Sequence, residues 1–111
     1  MRVLVCGGRN YSNADKVYEV LGGIGPSYII HGNAAGADDL ANSWAEANHV
    51  PVMPFSADWG TFGKSAGPKR NQKMLDEGKP DLVVAFPGGR GTADMVRRAR
   101  AAGIKIVEIT P

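Results

Sequence analysis

The 111-residue sequence predicts a single α/β domain on a five-stranded, mainly parallel sheet with helices on both faces. Five short apolar runs alternate with four helix-like patterns, the connections are short, and glycines gather where the apolar runs end. Strict strand–helix alternation leads to parallel pairing through right-handed crossovers, which places helices on the two faces of the sheet.

Val3-Leu4-Val5-Cys6 is the first strand, closed by Gly7-Gly8. Ser12 offers an N-cap with Asp15 three residues on, and Val17, Val20, Leu21 and Ile24 mark one face of a helix ended by Gly22-Gly23. Tyr28-Ile29-Ile30 follows as the second strand, closed by Gly32, and Ala37, Leu40, Ala41, Trp44 and Ala45 form the stripe of a second helix. Val50 to Phe55 reads as a third strand in which Pro51 and Pro54 each remove a ladder donor, so it belongs at an edge. Pro68 suits the first turn of a third helix with Met74 and Leu75 inward and Gly78 as its stop. Leu82 to Phe86 is the most continuously apolar run, as expected of a central strand covered on both faces. Ala93, Val96, Ala99 and Gly103 line a fourth helix beginning near Thr92, and Ile104 to Ile109 forms the last strand. Ser56 to Gly67, the longest non-periodic stretch, is expected to be a functional or mobile loop. Residues 1–111 thus read as one compact Rossmann-like domain, without a second domain, repeat or low-complexity tail.

An apolar fraction of 43% with 22% charged residues is ordinary for a globular domain. A net charge of +2 gives no bulk electrostatic case for binding nucleic acid or membranes. The single cysteine, Cys6, excludes an internal disulfide and, lying in an apolar strand, reads as a buried structural thiol. No apolar run approaches the ~20 residues of a membrane span, and no signal-peptide pattern opens the chain, so the expected location is the cytoplasm. No His/Cys/Asp/Glu cluster has metal-ligand spacing, and neither a metal nor a cofactor is expected.

In an open parallel sheet ligands bind beyond the carboxyl ends of the strands, where the strand order reverses. The run Pro87-Gly88-Gly89-Arg90-Gly91-Thr92 lies there, directly after the fourth strand, and a glycine-dense strand-to-helix turn suits phosphate. Arg9, after Gly7-Gly8, supplies a guanidinium that can take phosphate bidentately. The second strand ends in His31-Gly32 and leads through Gly36 to Asp38, which either caps the second helix or accepts bonds from ribose hydroxyls; Asp39 reads as a cap. His31 is either a general acid–base or a hydrogen-bonded strand-end histidine. Trp59 and Phe62 are open to stacking on a base or to folding back over the core, with Lys64 and Lys69 near phosphate. Arg70, a cation in the first turn of the third helix, stands against the helix dipole and points to a neighbouring anion.

Taken in order, Gly7-Gly8-Arg9, His31-Gly32 through Gly36-Ala37-Asp38, Ala66-Gly67-Pro68-Lys69-Arg70-Asn71 with Met74, and Phe86-Pro87-Gly88-Gly89-Arg90-Gly91-Thr92 resemble the YspA/YpsA-related, LOG-like branch of the SLOG superfamily over essentially the whole chain. The resemblance implies a Rossmann-like domain of the stand-alone phage or bacterial kind that binds a nucleotide or nucleotide-derived ligand as sensor or sequestering protein. It also implies self-association into a dimer or higher oligomer. Its enzymatic relatives, the lonely-guy phosphoribohydrolases, cleave the N-glycosidic bond of nucleoside 5′-monophosphates. They carry an arginine followed four residues later by a methionine, which Arg70 and Met74 match, and a P-G-G-x-G-T-x-x-E element. Here the glutamate position is Met95, and Asp94 lies one residue earlier, about 100° away around a helix. Glycosidic cleavage needs a carboxylate at the ribose, which a thioether cannot replace. The expectation is therefore binding without chemistry. Hydrolysis through Arg70 and Asp94, or a protein-interaction domain without ligand, are the alternatives.

Overall fold

The middle strand β1 (Arg2–Cys6) is buried along nearly its whole length and pairs on both sides, with β2 (Tyr28–His31) and with β4 (Leu82–Ala85). The computed structural model describes residues 1–111, with strand order β3-β2-β1-β4-β5 and every pair parallel. Strand β3 (Val52–Pro54) forms one edge, as its prolines require, and β5 (Lys105–Glu108) the other. β4 lies inside the sheet beside β1 and presents four buried residues, the two-sided burial that its unbroken apolar run demands.

Period-two alternation along these strands sorts the core into two layers. Val3 and Val5 of β1, Ile29 and Val84 face α1 (Ala14–Ile24) and α2 (Ala37–Ala47), where Val17, Leu21 and Trp44 fill the space. Leu4 and Cys6, Ile30 and Val83 face the opposite side, covered by Met74 and Leu75 of α4 (Ala66–Gly78) and by Met95 and Ala99 of α5 (Arg90–Ala101). Chain direction reverses its winding between β1 and β4, so the switch point of the sheet lies between their carboxyl ends.

Several boundaries differ from the sequence reading. Asn13 rather than Ser12 caps α1, its Oδ1 accepting from the Lys16 N–H at 3.0 Å. The helix runs through Gly22-Gly23, whose faces are open to solvent, and ends at Gly25 in the left-handed region. α5 starts at Arg90, two residues before Thr92, and stops before Gly103. The stretch 56–67 is not an irregular loop: Asp58 caps the four-residue helix α3 (Trp59–Phe62), a 3₁₀ turn covers Gly63–Ser65, and α4 begins at Ala66. Pro68 still falls in the first turn of α4, where its missing N–H costs nothing. Arg70, however, lies in the second turn, so opposition to the helix dipole is not what marks it.

Candidate functional site

Three rim loops are knotted together at one backbone position. The Gly8 N–H donates to the Pro87 carbonyl at 2.9 Å, and the Gly8 carbonyl accepts from the N–H groups of Ala37 and Tyr11, each at 3.2 Å. Such close approach leaves no room for side chains on the neighbouring segments. Gly36 has φ +78°, and a Cβ there would strike the Gly8 carbonyl and come within 2.6 Å of the Arg9 backbone. A Cβ on Gly88 would strike the Thr92 hydroxyl and sit 2.7 Å from the Gly8 nitrogen. Gly36 and Gly88 therefore build the rim from behind, which is a structural reason for glycine at both.

In front of this knot opens a cavity of about 470 Å³, within the range of small-ligand sites. Its floor is apolar, made by Val5, Cys6 and Met74; Val5 and Cys6 carry the same apolar signal as the core and were not legible as site residues, and Met74 was marked only by its spacing from Arg70. The β1 loop contributes Gly7, Gly8 and Arg9 to its walls, and the β2 loop contributes Gly32, Ala34 and Asp38. Trp59 and Lys64 border it from the 59–65 segment, Arg70 and Asn71 from α4, and Gly89 through Thr92 with Asp94 from α5. Gly67 and Pro68 also line it; they were legible only as part of the run preceding Arg70.

Four sequence-selected residues lie elsewhere. Gly36 is behind the rim, and Pro87 and Gly88 border a separate cavity of about 380 Å³ on the β5 side. His31 is fully engaged: its Nδ1 accepts from the Asn33 N–H at 2.9 Å, so Nε2 carries the proton and donates to Asn42 Oδ1 at 2.9 Å. That bonding makes it the strand-end histidine rather than an acid–base group.

The polar walls form a connected network. Asp38 does not cap α2, whose N-terminus has no side-chain cap; its Oδ2 accepts from the N–H groups of Gly32 at 3.0 Å and Ala34 at 3.3 Å, pinning the β2 loop. Burial pushes this carboxyl above its ordinary range, against the opposing pull of the two N–H groups and Arg70. Arg70 Nη1 donates to the Gly32 carbonyl at 2.6 Å and Nε to Asn71 Oδ1 at 3.0 Å. Burial lowers the Arg70 pKa, Asp38 counteracts, and the neighbouring Arg9 charge lowers it further. Asn71 Nδ2 in turn donates to the Gly91 carbonyl and to Asp94 Oδ2, at 3.2 and 3.0 Å. Asp94 is clamped as well by Arg97 on Oδ1 and by Arg98 Nε at 2.8 Å. Burial alone would raise its pKa, but the bonds from Arg98 and Asn71 and the charges of Arg98 and Arg97 hold it below the usual carboxylate range. The spacing of Arg97 and Arg98, three and four residues on, was a legible sign of this pairing. Cys6, on the floor, is buried with its thiol pushed up to about 12, chiefly by desolvation, so it is no nucleophile.

At the mouth, Trp59 is 48% exposed; its ring edge rests over Gly67, and the Arg9 guanidinium stands 5.4 Å from the ring centre. Phe62, also exposed, carries Lys69 4.9 Å from its ring. The first turn of α5 is uncapped by any side chain: the first backbone bond is from Ala93 N–H to the Gly89 carbonyl, which leaves the N–H groups of Arg90, Gly91 and Thr92 without a protein acceptor. Gly89 and Gly91 have open space where a Cβ would stand, and neither has positive φ.

A doubly wound parallel sheet whose switch point opens into a cavity with an apolar floor and cations on its walls defines a Rossmann-like α/β domain. The chain belongs to the YspA, cpYpsA-related SLOG family, whose profile matches residues 1–62. It is 36% identical over 121 residues to the Gene 61 protein of Mycobacterium phage D29, an alignment spanning 96% of this chain and 94% of that protein. In fold it is similar to DNA processing protein A (DprA) from Streptococcus pneumoniae, with a TM-score of 0.83 at 21% sequence identity over 99% of this chain. The chain spans half the length of that protein, 50%, and the likeness is one of fold. Arg70 and the 87–92 turn lie beyond the profile-matched span. No helix is long and apolar enough to cross a membrane, and no three His, Cys, Asp or Glu side chains converge as a metal site would need.

Proposed function

We propose that the chain binds a nucleotide or nucleotide-derived phosphorylated ligand in the rim cavity, as a sensor or sequestering protein. The observation that carries this reading is the first turn of α5. Three backbone N–H groups and the Thr92 hydroxyl have no protein partner there, beside a cavity of about 470 Å³. Neither packing nor backbone geometry explains glycine at 89 and 91, whereas close approach of a phosphate to the amides does. Arg70, its guanidinium oriented by Gly32 and Asn71, and Arg9 neutralise the anion. Asp38 Oδ1, not used by the loop amides, is the acceptor for a ribose hydroxyl. Trp59 supplies the stacking face for a base. Self-association that completes the open mouth, where Trp59 and Phe62 are exposed, belongs to the same reading.

Binding is favoured over N-glycosidic hydrolysis by the state of the carboxylates. Both oxygens of Asp94 are taken by Arg97, Arg98 and Asn71, and burial works against ionisation of Asp38. Neither is a free anion for an oxocarbenium-like centre. Incubation with a panel of nucleoside 5′-monophosphates, followed by thermal melting and by chromatography of released base, tests the proposal. The expected result is a rise in Tm with at least one nucleotide, lost in Arg70→Ala, and no free base. Steady base release abolished by Arg70→Ala would overturn binding without chemistry; melting indifferent to nucleotides across mono- and diphosphates would overturn ligand binding itself.

A further inference from the structure

Arg9, Lys64, Arg70 and Arg90 all line the rim cavity, and none forms an ion pair with a carboxylate. The cavity holds two carboxylates. Asp94 is offset by Arg97 and Arg98, so Asp38 alone stands against four cations, and burial biases it toward the neutral acid. Arg70 is half-buried and the other three are exposed; like charges gathered around one cavity repel, and a ligand of matching charge relieves that repulsion. The proximity is felt: the Arg9 charge contributes to lowering the Arg70 pKa.

The cations also fall into two groups. Arg90 belongs to the uncapped first turn of α5, with its free amides and Thr92. Arg9 stacks on Trp59 of α3, and Lys64 follows in the adjoining 3₁₀ turn. Arg70 joins the two, bonded to the Gly32 carbonyl and, through Asn71, to the Gly91 carbonyl of α5. A monophosphate, with at most two negative charges, does not balance four cations at one cavity.

Building on the nucleotide reading, we infer that the ligand carries at least two phosphate groups, one seated on the α5 turn and the next held by Arg9 and Lys64. Nucleoside diphosphates or diphosphate-bridged nucleotides are the matching chemical class.

Titration calorimetry with the 5′-mono- and 5′-diphosphates of adenosine, guanosine, cytidine and uridine tests this in the full-length chain, with inorganic phosphate and pyrophosphate as baseless probes. For the bases that bind, the diphosphate is expected to bind at least tenfold more tightly than the monophosphate, with the steeper salt dependence. Lys64→Met, a change at an exposed position, should reduce that preference to threefold or less. Equal affinities, or a preference untouched by Lys64→Met, would overturn the inference and leave nucleotide binding standing. Failure of every mono- and diphosphate to bind would remove both.

Discussion

Asp38 shows how one buried side chain divides its two oxygens between structure and site. Oδ2 holds the Gly32 and Ala34 amides, and removing it strands the buried Gly32 N–H, a loss of about 1–3 kcal/mol. We expect Asp38→Ala to lower the urea midpoint accordingly and Asp38→Asn, which keeps an acceptor, to lower it far less. The pH dependence separates charge from bonding. Burial raises the carboxyl in the native state, so its contribution is fully present below the unfolded value of about 3.9 and is lost as pH rises through the native pKa. Asp38→Asn should remove that part of the slope; an unchanged slope would show that Asp38 is ionised in the fold without penalty.

Among the elements, the two rim turns use glycine for opposite reasons. Gly36 sits at φ +78° against the Gly8 carbonyl, and alanine there costs about 1–3 kcal/mol for the backbone conformation before any clash is counted. Gly91 lies inside the first turn of α5 with open space around it, where alanine is the better helix former by about 1 kcal/mol. Gly36→Ala should therefore lower Tm and Gly91→Ala raise it, while Gly91→Ala weakens ligand binding by crowding the amides. If both melt alike, the distinction between structural and ligand-facing glycines is wrong.

Across the whole molecule, α4 and α5 are joined on one face of the sheet through Asn71, Asp94, Arg98 and Gln72. Because the native Asp94 pKa is depressed, its stabilisation is complete above the unfolded carboxyl value of about 3.9 and is lost as pH falls through the lower native one. Denaturation at pH 7 and pH 3 should show a loss toward acid that Asp94→Asn reduces. The effect opposes that of Asp38 in sign, so the two single variants should tilt the stability curve in opposite directions.

Much of this was readable in one dimension. An apolar run without alternation dictated two-sided burial for β4, the prolines of residues 51–54 put β3 at an edge, and the alternation of strands and helices dictated parallel pairing, whereas the middle place of β1 came only with the fold. The glycine turn after β4 announced where backbone would be exposed, because local chemistry alone decides which residues permit it. Capping by Asn13 in place of Ser12, and the short helix hidden in 59–62, turned on side-chain competition for amides that neighbouring residues satisfy almost equally well. Only the tertiary structure could decide which polar groups find partners. His31 and Asp94 are as polar in sequence as Arg9 and Lys64, yet packing supplied the first two with fixed partners and left the other two without an ion pair at one cavity. Hydrogen bonds and charge pairs form between segments far apart in the chain, so their satisfaction is a property of the folded sheet and not of any stretch of sequence.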